Sequence, residues 1–487
     1  MNQRAEGQQT VEIIPDPVSL MESMRAVGYT VDAAIADLID NSLSAGATTI
    51  EVEYDPHGDP FVAVLDNGKG MSRGELEIAM RHGSRNPADA RDPGDLGRFG
   101  LGLKTASLSQ CRRLTVVSRA SGATNALSWD LDVVQEKKRW LAVIPSSDEV
   151  EKVPLYDRLA QQPSGTLVVW QDLDRLVAGA SDPVEEMTTK LSGLRDHLAL
   201  VFHRFTARED GNPAVAMRIN QLALPARDPF LRSNSFRQAM EGQTLRHARG
   251  TVSIQPCVLP PISRLSSEEV ELAGGREGLR GTQGFYIYRN RRLVIWGTWF
   301  RLVPKHEFFK LTRVQVDIPN SFDDLWSLDI KKSAAQPPDF IRNRLRELIP
   351  HFANASKRTI TYPGRRSSQT AFTPLWNRIE PEHKHFKYEV NSEHPAIQAF
   401  ASDLDEPRRR QFAAVLELIS ASLPLQAIYA DMGHDVLDQN RDLERLADLA
   451  RKLHDLTGLS YRQVLLIDPI ARHPDLHEEI IKKAEEL

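Results

Sequence analysis

Residues 31–45 carry the pattern that most restricts the fold. At about 100° per residue, Asp37, Asp40, Asn41 and Ser44 fall on one stripe of a helix, and Ile35, Leu38, Ile39 and Leu43 on the other. The apolar side suits packing against a sheet. The polar side sets carboxylates and a carboxamide where a ligand can use them. On an isolated helix such a stripe is usually just solvated, so its weight comes from its neighbours along the chain. Two glycine-bearing segments come next in order, VLDNGKGMS at 64–72 and DLGRFGLGLKTA at 95–106.

The chain around these segments reads as α+β. Helices are expected at 17–28, 31–45, 73–81, 100–109 and 184–205, with strands near 48–54, 60–65, 113–119, 124–132, 138–144 and 165–171. Residues 83–98, rich in Gly, Pro, Asp and Arg, read as a mobile loop. A second unit has strands near 214–224, 250–258, 282–289, 292–296 and 312–318, closed by a helix over 338–353. Residues 356–385, with Lys357, Arg358, Arg365 and Arg366 among Ser, Thr and Pro, read as a linker, and the pattern from 394 onward is helical. At 487 residues the chain suits two or three domains. Its net charge of −5 does not mark a nucleic-acid binder, though a local basic face is allowed. Two distant cysteines, Cys111 and Cys257, argue against a disulfide framework or a cysteine zinc site and for a reducing, cytoplasmic compartment. No signal-peptide pattern or membrane-length apolar run is read.

The three segments have the parts of a triphosphate site. The amide oxygen of Asn41 is a hard ligand suited to Mg²⁺. Asp37, one turn earlier, can take a proton from an attacking water. In the second segment a strand ends in Asp66, placed to accept from an adenine amino group, and Gly68 and Gly70 let backbone approach the base. In the third, Gly97, Gly100 and Gly102 lead into a helix start that can bind phosphate, with Lys104 and Thr105 in its first turn. That segment misses the Walker pattern, because Leu103 separates Gly102 from Lys104. A further strand opens with Gly165-Thr166, whose hydroxyl can reinforce Asp66.

As an ordered set these motifs resemble the GHKL ATPases, the superfamily of gyrase, the large heat-shock chaperone, histidine kinases and MutL. The continuation GLGLKTA of the third motif resembles the MORC-like, prokaryotic-type branch. The resemblance implies ATP and Mg²⁺ as ligands, with Asn41 holding the metal. It implies that Asp66 reads adenine beside Gly68, Gly70, Met71 and Thr166. An ATP lid is implied around Gly97, Arg98, Phe99, Gly100, Leu101 and Gly102, with Lys104 beside the phosphates. Two departures stand out. The family's general base is usually glutamate, where this chain has Asp37, one methylene shorter; slow turnover is expected. Ser44 stands where relatives often have a second acid.

The same resemblance implies a domain plan. An N-terminal arm (1–15) precedes a Bergerat-type α/β sandwich ATPase domain (16–210). An α+β transducer domain of ribosomal-protein-fold type (211–355), a linker (356–393) and a helical C-terminal region (394–487) follow. Such transducers send a lysine back to the γ-phosphate, and here Lys331 and Lys332 are the candidates. Closure in these families dimerises two ATPase domains, so a homodimer on ATP binding is expected. Arg342, Arg344 and Arg346 form a candidate DNA-backbone contact, with Arg289, Arg291 and Arg292 serving that surface or packing inside the transducer. The C-terminal helices suit dimerisation or protein docking. The leading function is an ATP-gated clamp on DNA, in a bacterial antiphage or restriction-associated setting. A chaperone-like ATPase and a regulatory ATP-binding module with little turnover are the alternatives. A MutL-type protein is set aside on the continuation of the third motif and the lack of a nuclease signature.

Overall fold

The computed structural model describes residues 14–26, 28–82, 96, 102–209, 211–323, 325–326, 336–361, 373–382, 385–425, 428, 443–473 and 476–486. Gly97, Arg98, Phe99, Gly100 and Leu101 of the expected lid, the rest of the 83–98 loop but for Leu96, the arm up to residue 13, and both transducer lysines, Lys331 and Lys332, lie outside the described residues.

The first sheet joins β1 (Thr49–Asp55), β2 (Phe61–Asp66), β3 (Arg113–Ala120), β4 (Ala123–Asp130), β5 (Gly165–Gln171), β6 (Ala216–Ile219) and β7 (Leu222–Ala223), in the order β4-β3-β5-β2-β1-β6-β7. All neighbours are antiparallel except β1 and β6. The sheet takes in 216–223, which sequence pattern alone assigns to the second unit. Helices α1 (Pro17–Arg25), α2 (Val31–Ser44), α3 (Arg73–Met80) and α4 (Gly102–Leu108) are joined in one core by α8 (Pro183–Leu191) and α9 (Leu194–Val201). In that core Ile35, Leu38 and Ile39 of α2 meet Ile50, Val64 and Val116 of the strands. The opposite sheet face, with Ala63, Leu65, Val117 and Val169, is covered by Val150 and Leu159. These come from α6 (Ser147–Glu151) and α7 (Tyr156–Ala160), two short helices after α5 (Leu131–Lys137). Both faces are thus buried, which is why β2 reads FVAVLD with no polar alternation. Helix starts follow local rules. Thr30 caps α2 through Ala33 N, and Ser72 and Glu75 close a capping box on α3.

Three expectations fail here. The strand at 138–144 is absent; its one sheet-like contact is an isolated bridge from Val143 to Ser128, while Trp140 turns aside to pack on His82 and Trp129. The helix over 184–205 is broken into α8, α9 and α10 (His203–Thr206), with turns at Ser192 and Phe202. The stretch expected as linker folds in part into a hairpin, over 376–390.

The second unit is a sheet of β8 (Gln238–Ala239), β9 (Gln243–His247), β10 (Gly250–Val258), β11 (Gly284–Arg289), β12 (Arg292–Thr298) and β13 (Thr312–Ile318), with β11 and β13 parallel. Between β10 and β11 lie α11 (Ser267–Gly274) and α12 (Gly278–Gly281). The long α13 (Asp339–Thr361) lays Ile341, Leu345, Leu348, Ile349 and Phe352 on this sheet, with Phe322 and Trp326 in the same core. Buried polar contacts tie the units together. Arg204 of α10 pairs with Glu209 and with Asp317 of β13, and His203 stacks edge-on against Tyr288 of β11.

Within the expected linker, β14 (Trp376–Glu382) and β15 (His385–Val390) pair as an antiparallel hairpin. The helices α14 (Pro395–Ser402), α15 (Glu406–Ala421), α16 (Leu443–Thr457), α17 (Tyr461–Val464) and α18 (His477–Glu486) come after it. Leu446, Ala447 and Ala450 of α16 make a small separate core with Val464, Ile470 and Ile480. No helix among the described residues is long and apolar enough to cross a membrane.

Candidate functional site

Asp66 is the best-defined part of the site. It ends β2 and is 5% exposed. Its Oδ1 accepts from Gly68 N (2.8 Å) and Thr166 N (3.3 Å), and its Oδ2 from Ser42 Oγ (2.8 Å). A carboxylate offers about four lone-pair positions, so one acceptor site remains, on Oδ2. Burial raises the Asp66 pKa against these three donors, which lower it.

The loop after Asp66 is shaped by two glycines. A Cβ on Gly70, at φ +68°, would stand 1.9 Å from the Arg119 carbonyl oxygen, so only glycine lets this turn lie against β3. A Cβ on Gly68 would stand 2.9 Å from the Cβ of Ala45, which caps the end of α2. Met71 N then donates to Ser118 Oγ (2.9 Å), and Ser118 Oγ meets Thr166 Oγ1 at 2.9 Å. The structure therefore brings Asp66, Gly68, Gly70, Met71 and Thr166 together, as the motifs require. The Thr166 hydroxyl, however, faces Ser118; it is the Thr166 backbone N–H that reaches Asp66.

On α2, Asn41 is exposed and its side chain makes no hydrogen bond among the described residues, leaving its amide oxygen open to a hard cation. That single neutral donor fits Mg²⁺, which keeps most of its waters. No group of three or more His, Cys, Asp or Glu able to hold a metal occurs among the described residues. Asp37 is partly buried, and Tyr29 hydrogen-bonds to it; burial first, then the Asp37 charge, push the Tyr29 pKa up.

Asp40 corrects the helical-wheel reading. The wheel puts it on the open stripe, but it is 7% exposed, with both carboxylate oxygens 3.1–3.2 Å from Arg292 Nε. Ser44 meets the expected lid segment at Leu96, since its Oγ accepts from Leu96 N (3.2 Å) and donates to Asp40 O (2.9 Å).

Lys104 also turns inward. The helix α4 does begin at Gly102, but Lys104 is 1% exposed, and its Nζ donates to the carbonyls of Ala79 (2.8 Å) and Arg81 (2.9 Å) at the end of α3. Burial lowers its pKa to about 8. The lysine thus closes the C-terminus of α3. A cavity of about 570 Å³ beside α3, lined by His82, Trp129, Trp140 and Met80 among others, is bordered by none of the expected site residues.

Sequence reasoning missed Ser42, Ser118 and Tyr29, and gave Arg292 only to the DNA surface or the transducer interior. Ser42 had a local signal, adjacent to Asn41 in the same helix; the others meet the site only through the tertiary fold.

Residues 29–166 match the family of histidine kinase-, DNA gyrase B-, and HSP90-like ATPases. That segment is a GHKL-type ATPase domain. The chain is also similar to DNA mismatch repair protein MutL of Shewanella loihica, 33% identical over 119 residues, which is 24% of this chain and 19% of that protein. MutL of Shewanella woodyi is 33% identical over 153 residues (30% and 22%), and MutL of Rhodospirillum rubrum 29% over 168 residues (34% and 23%). The chain spans about a fifth of the length of these curated relatives. Within the GHKL domain, α2 carries the first motif, the β2–α3 loop the second and the start of α4 the third.

Proposed function

We propose that this protein binds and hydrolyses ATP and uses lid closure and dimerisation as a molecular clamp, with DNA as the substance clamped. The buried Asp66 carboxylate carries the reading. Three protein donors leave it one acceptor, at the mouth of a glycine turn, which matches an exocyclic adenine amine. Asn41 would hold Mg²⁺, which supplies charge neutralisation at the phosphates. In the hydrolytic step a water oxygen bonds to the γ-phosphorus while the bond to the bridging oxygen breaks. Its electron pair leaves with ADP, and the proton of the water goes to Asp37.

The MutL relatives are named for DNA mismatch repair, and that favours DNA over a protein client. On α13, Arg344 is 40% exposed and held toward Gln243 and Glu347, and Arg346 is exposed beside Asn343. Arg289 and Arg292, by contrast, are buried between the two units, so they are removed from any DNA surface. Within the superfamily we place the chain on the MORC-like side, on the GLGLKTA continuation, in a defence-associated setting. Lys331 or Lys332 is the proposed γ-phosphate contact from the transducer.

The test is hydrolysis and binding together. Wild type should release phosphate from Mg-ATP, and Asp37→Ala should retain nucleotide affinity while losing turnover on the order of 10²-fold or more. Dimer formation with a non-hydrolysable analogue and salt-sensitive retention of plasmid DNA complete the prediction. Nucleotide binding without turnover would favour the regulatory module instead.

A further inference from the structure

The hairpin that joins β11 to β12 turns through Asn290 and Arg291, both left-handed at φ 47° and 70°. This two-residue turn sets Arg289 opposite Arg292. The tip is driven into the ATPase unit. Arg289 grips Asp323 with Nε and Nη2 (2.7 and 2.6 Å) and donates from Nη1 to the carbonyl of Leu96 in the lid segment (2.8 Å). The Arg291 guanidinium lies 4.7 Å over the Phe205 ring. Arg292, 4% exposed, reaches α2: Nε sits on Asp40, Nη1 donates to Leu293 O (2.9 Å), and its guanidinium lies 5.5 Å from the centre of the Phe202 ring. Its remaining nitrogen, Nη2, is buried, lacks a hydrogen-bond partner among the described residues, and stands 4.0 Å from Asp37 Oδ1.

A buried guanidinium nitrogen without a hydrogen bond is costly, and nothing in the packing of α2 requires a second cation contact once Asp40 is neutralised. Its position is explained by Asp37. We propose that Arg292 is a positioning residue of the second unit, anchored on Asp40, whose Nη2 holds the Asp37 carboxylate oriented for the attacking water. The inference rests on the proposed ATPase reading. It also gives aspartate a remedy for its missing methylene, since a shorter base has a narrower range of reach and gains more from a fixed rotamer. The transducer would then enter the hydrolytic step through α2 as well as through a lysine at the γ-phosphate.

The experiment uses the full-length chain and compares Arg292→Gln, Arg292→Lys, Asp40→Asn and the double variant Arg292→Gln/Asp40→Asn. For each, Mg-ATP turnover, affinity for a fluorescent ATP analogue and Tm are measured. Arg292→Gln should lower kcat about tenfold or more while analogue affinity stays within about threefold. It should also lower Tm, because Asp40 is left buried without its cation. Asp40→Asn, by removing the charged anchor that sets Arg292 against Asp37, should lower kcat too. The double variant removes both buried charges, so its Tm should recover while kcat stays low. Arg292→Lys, with a cation that cannot span both carboxylates, should restore kcat only in part. Recovery of kcat together with Tm in the double variant, or a wild-type kcat in Arg292→Gln, would overturn the proposal and leave the ATPase reading intact. An inactive wild type that binds no nucleotide overturns both.

Discussion

Asp66→Asn is the substitution whose outcome the geometry fixes most closely. The amide oxygen must take the Oδ1 position, because two backbone N–H groups, from Gly68 and Thr166, point there. The amide nitrogen then replaces Oδ2. Ser42 can reverse its hydroxyl to accept from it, since Ser42 Oγ also lies 3.4 Å from Leu38 O and keeps a place for its proton. The fold is therefore expected to survive with little loss. The remaining amide hydrogen occupies the one acceptor position left for adenine, so donor meets donor. Losing a charge-assisted hydrogen bond costs about 1.5–3 kcal/mol, and burying an unpaired donor about 1–3 kcal/mol more. Together these amount to about 3 kcal/mol or more, which weakens ATP binding by at least on the order of 10²-fold. Calorimetry with ATP, alongside thermal melts, measures this directly. Inosine triphosphate, with a carbonyl in place of the amine, supplies the converse: the variant should favour it over ATP, reversing the wild-type preference. An Asp66→Asn protein that melts like wild type and binds ATP within about threefold of it would refute the assignment of Asp66 to the base.

Further outcomes can be checked separately. Acidification should weaken ATP binding, because burial raises the Asp66 pKa from its ordinary value and protonation removes its free acceptor; an affinity that stays flat down to the onset of acid unfolding contradicts this. Gly70→Ala places a Cβ 1.9 Å from the Arg119 carbonyl at a left-handed φ, and should cost about 2 kcal/mol or more in a denaturant titration. Lys104 loses its proton at about 8 in the fold but at 10.5 when exposed. The unfolded chain holds more protons across that window, so Lys104 adds stability as pH rises from about 8 to 10.5; Lys104→Met should abolish this rise relative to wild type in melts from about pH 7 to about pH 10. Replacing Arg342, Arg344 and Arg346 by alanine should weaken DNA retention and flatten its salt dependence by about one unit of log–log slope per lost phosphate contact.

Much of this was legible in local pattern. The strands β1, β2, β3, β5, β10 and β13 are apolar or alternating runs long enough to declare themselves, and they form within a residue or two of their expected positions. The turn after Asp66 was readable from an apolar strand that stops at Asp-Asn-Gly, an ordinary turn taken alone, which gained a further meaning only from the ordered set of motifs. The short helices α5 to α7 span at most seven residues, too few for a helical period to rise above composition. The hairpin β14–β15 was hidden by Glu, Lys and His in its strands, which read as linker chemistry. Single positions failed for a different reason. Asp40 and Lys104 look like ligand groups in sequence, and what removes them from solvent is another element: Arg292, 252 residues away from Asp40, and the end of α3, 23 to 25 residues before Lys104. A helical wheel shows which residues share a face; it does not show which charge will be neutralised by a partner from another unit.

That distinction bears on how ATP could move this molecule. Breaking a buried pair such as Arg292–Asp40 by separating its partners costs about 3–5 kcal/mol, while reversing a 1:99 equilibrium to 99:1 needs about 5.5 kcal/mol of differential binding. A closure that tore the hairpin tip from α2 would thus use most of what a nucleotide can supply. The tip is further held by Arg289 on Asp323 and by the ring contact of Arg291 with Phe205. The economical motion keeps α2 and the β11–β12 tip together as one body. Arg289 touches Leu96 while Arg292 touches the helix bearing Asp37, so both flanks of the proposed nucleotide site are referred to that single hairpin.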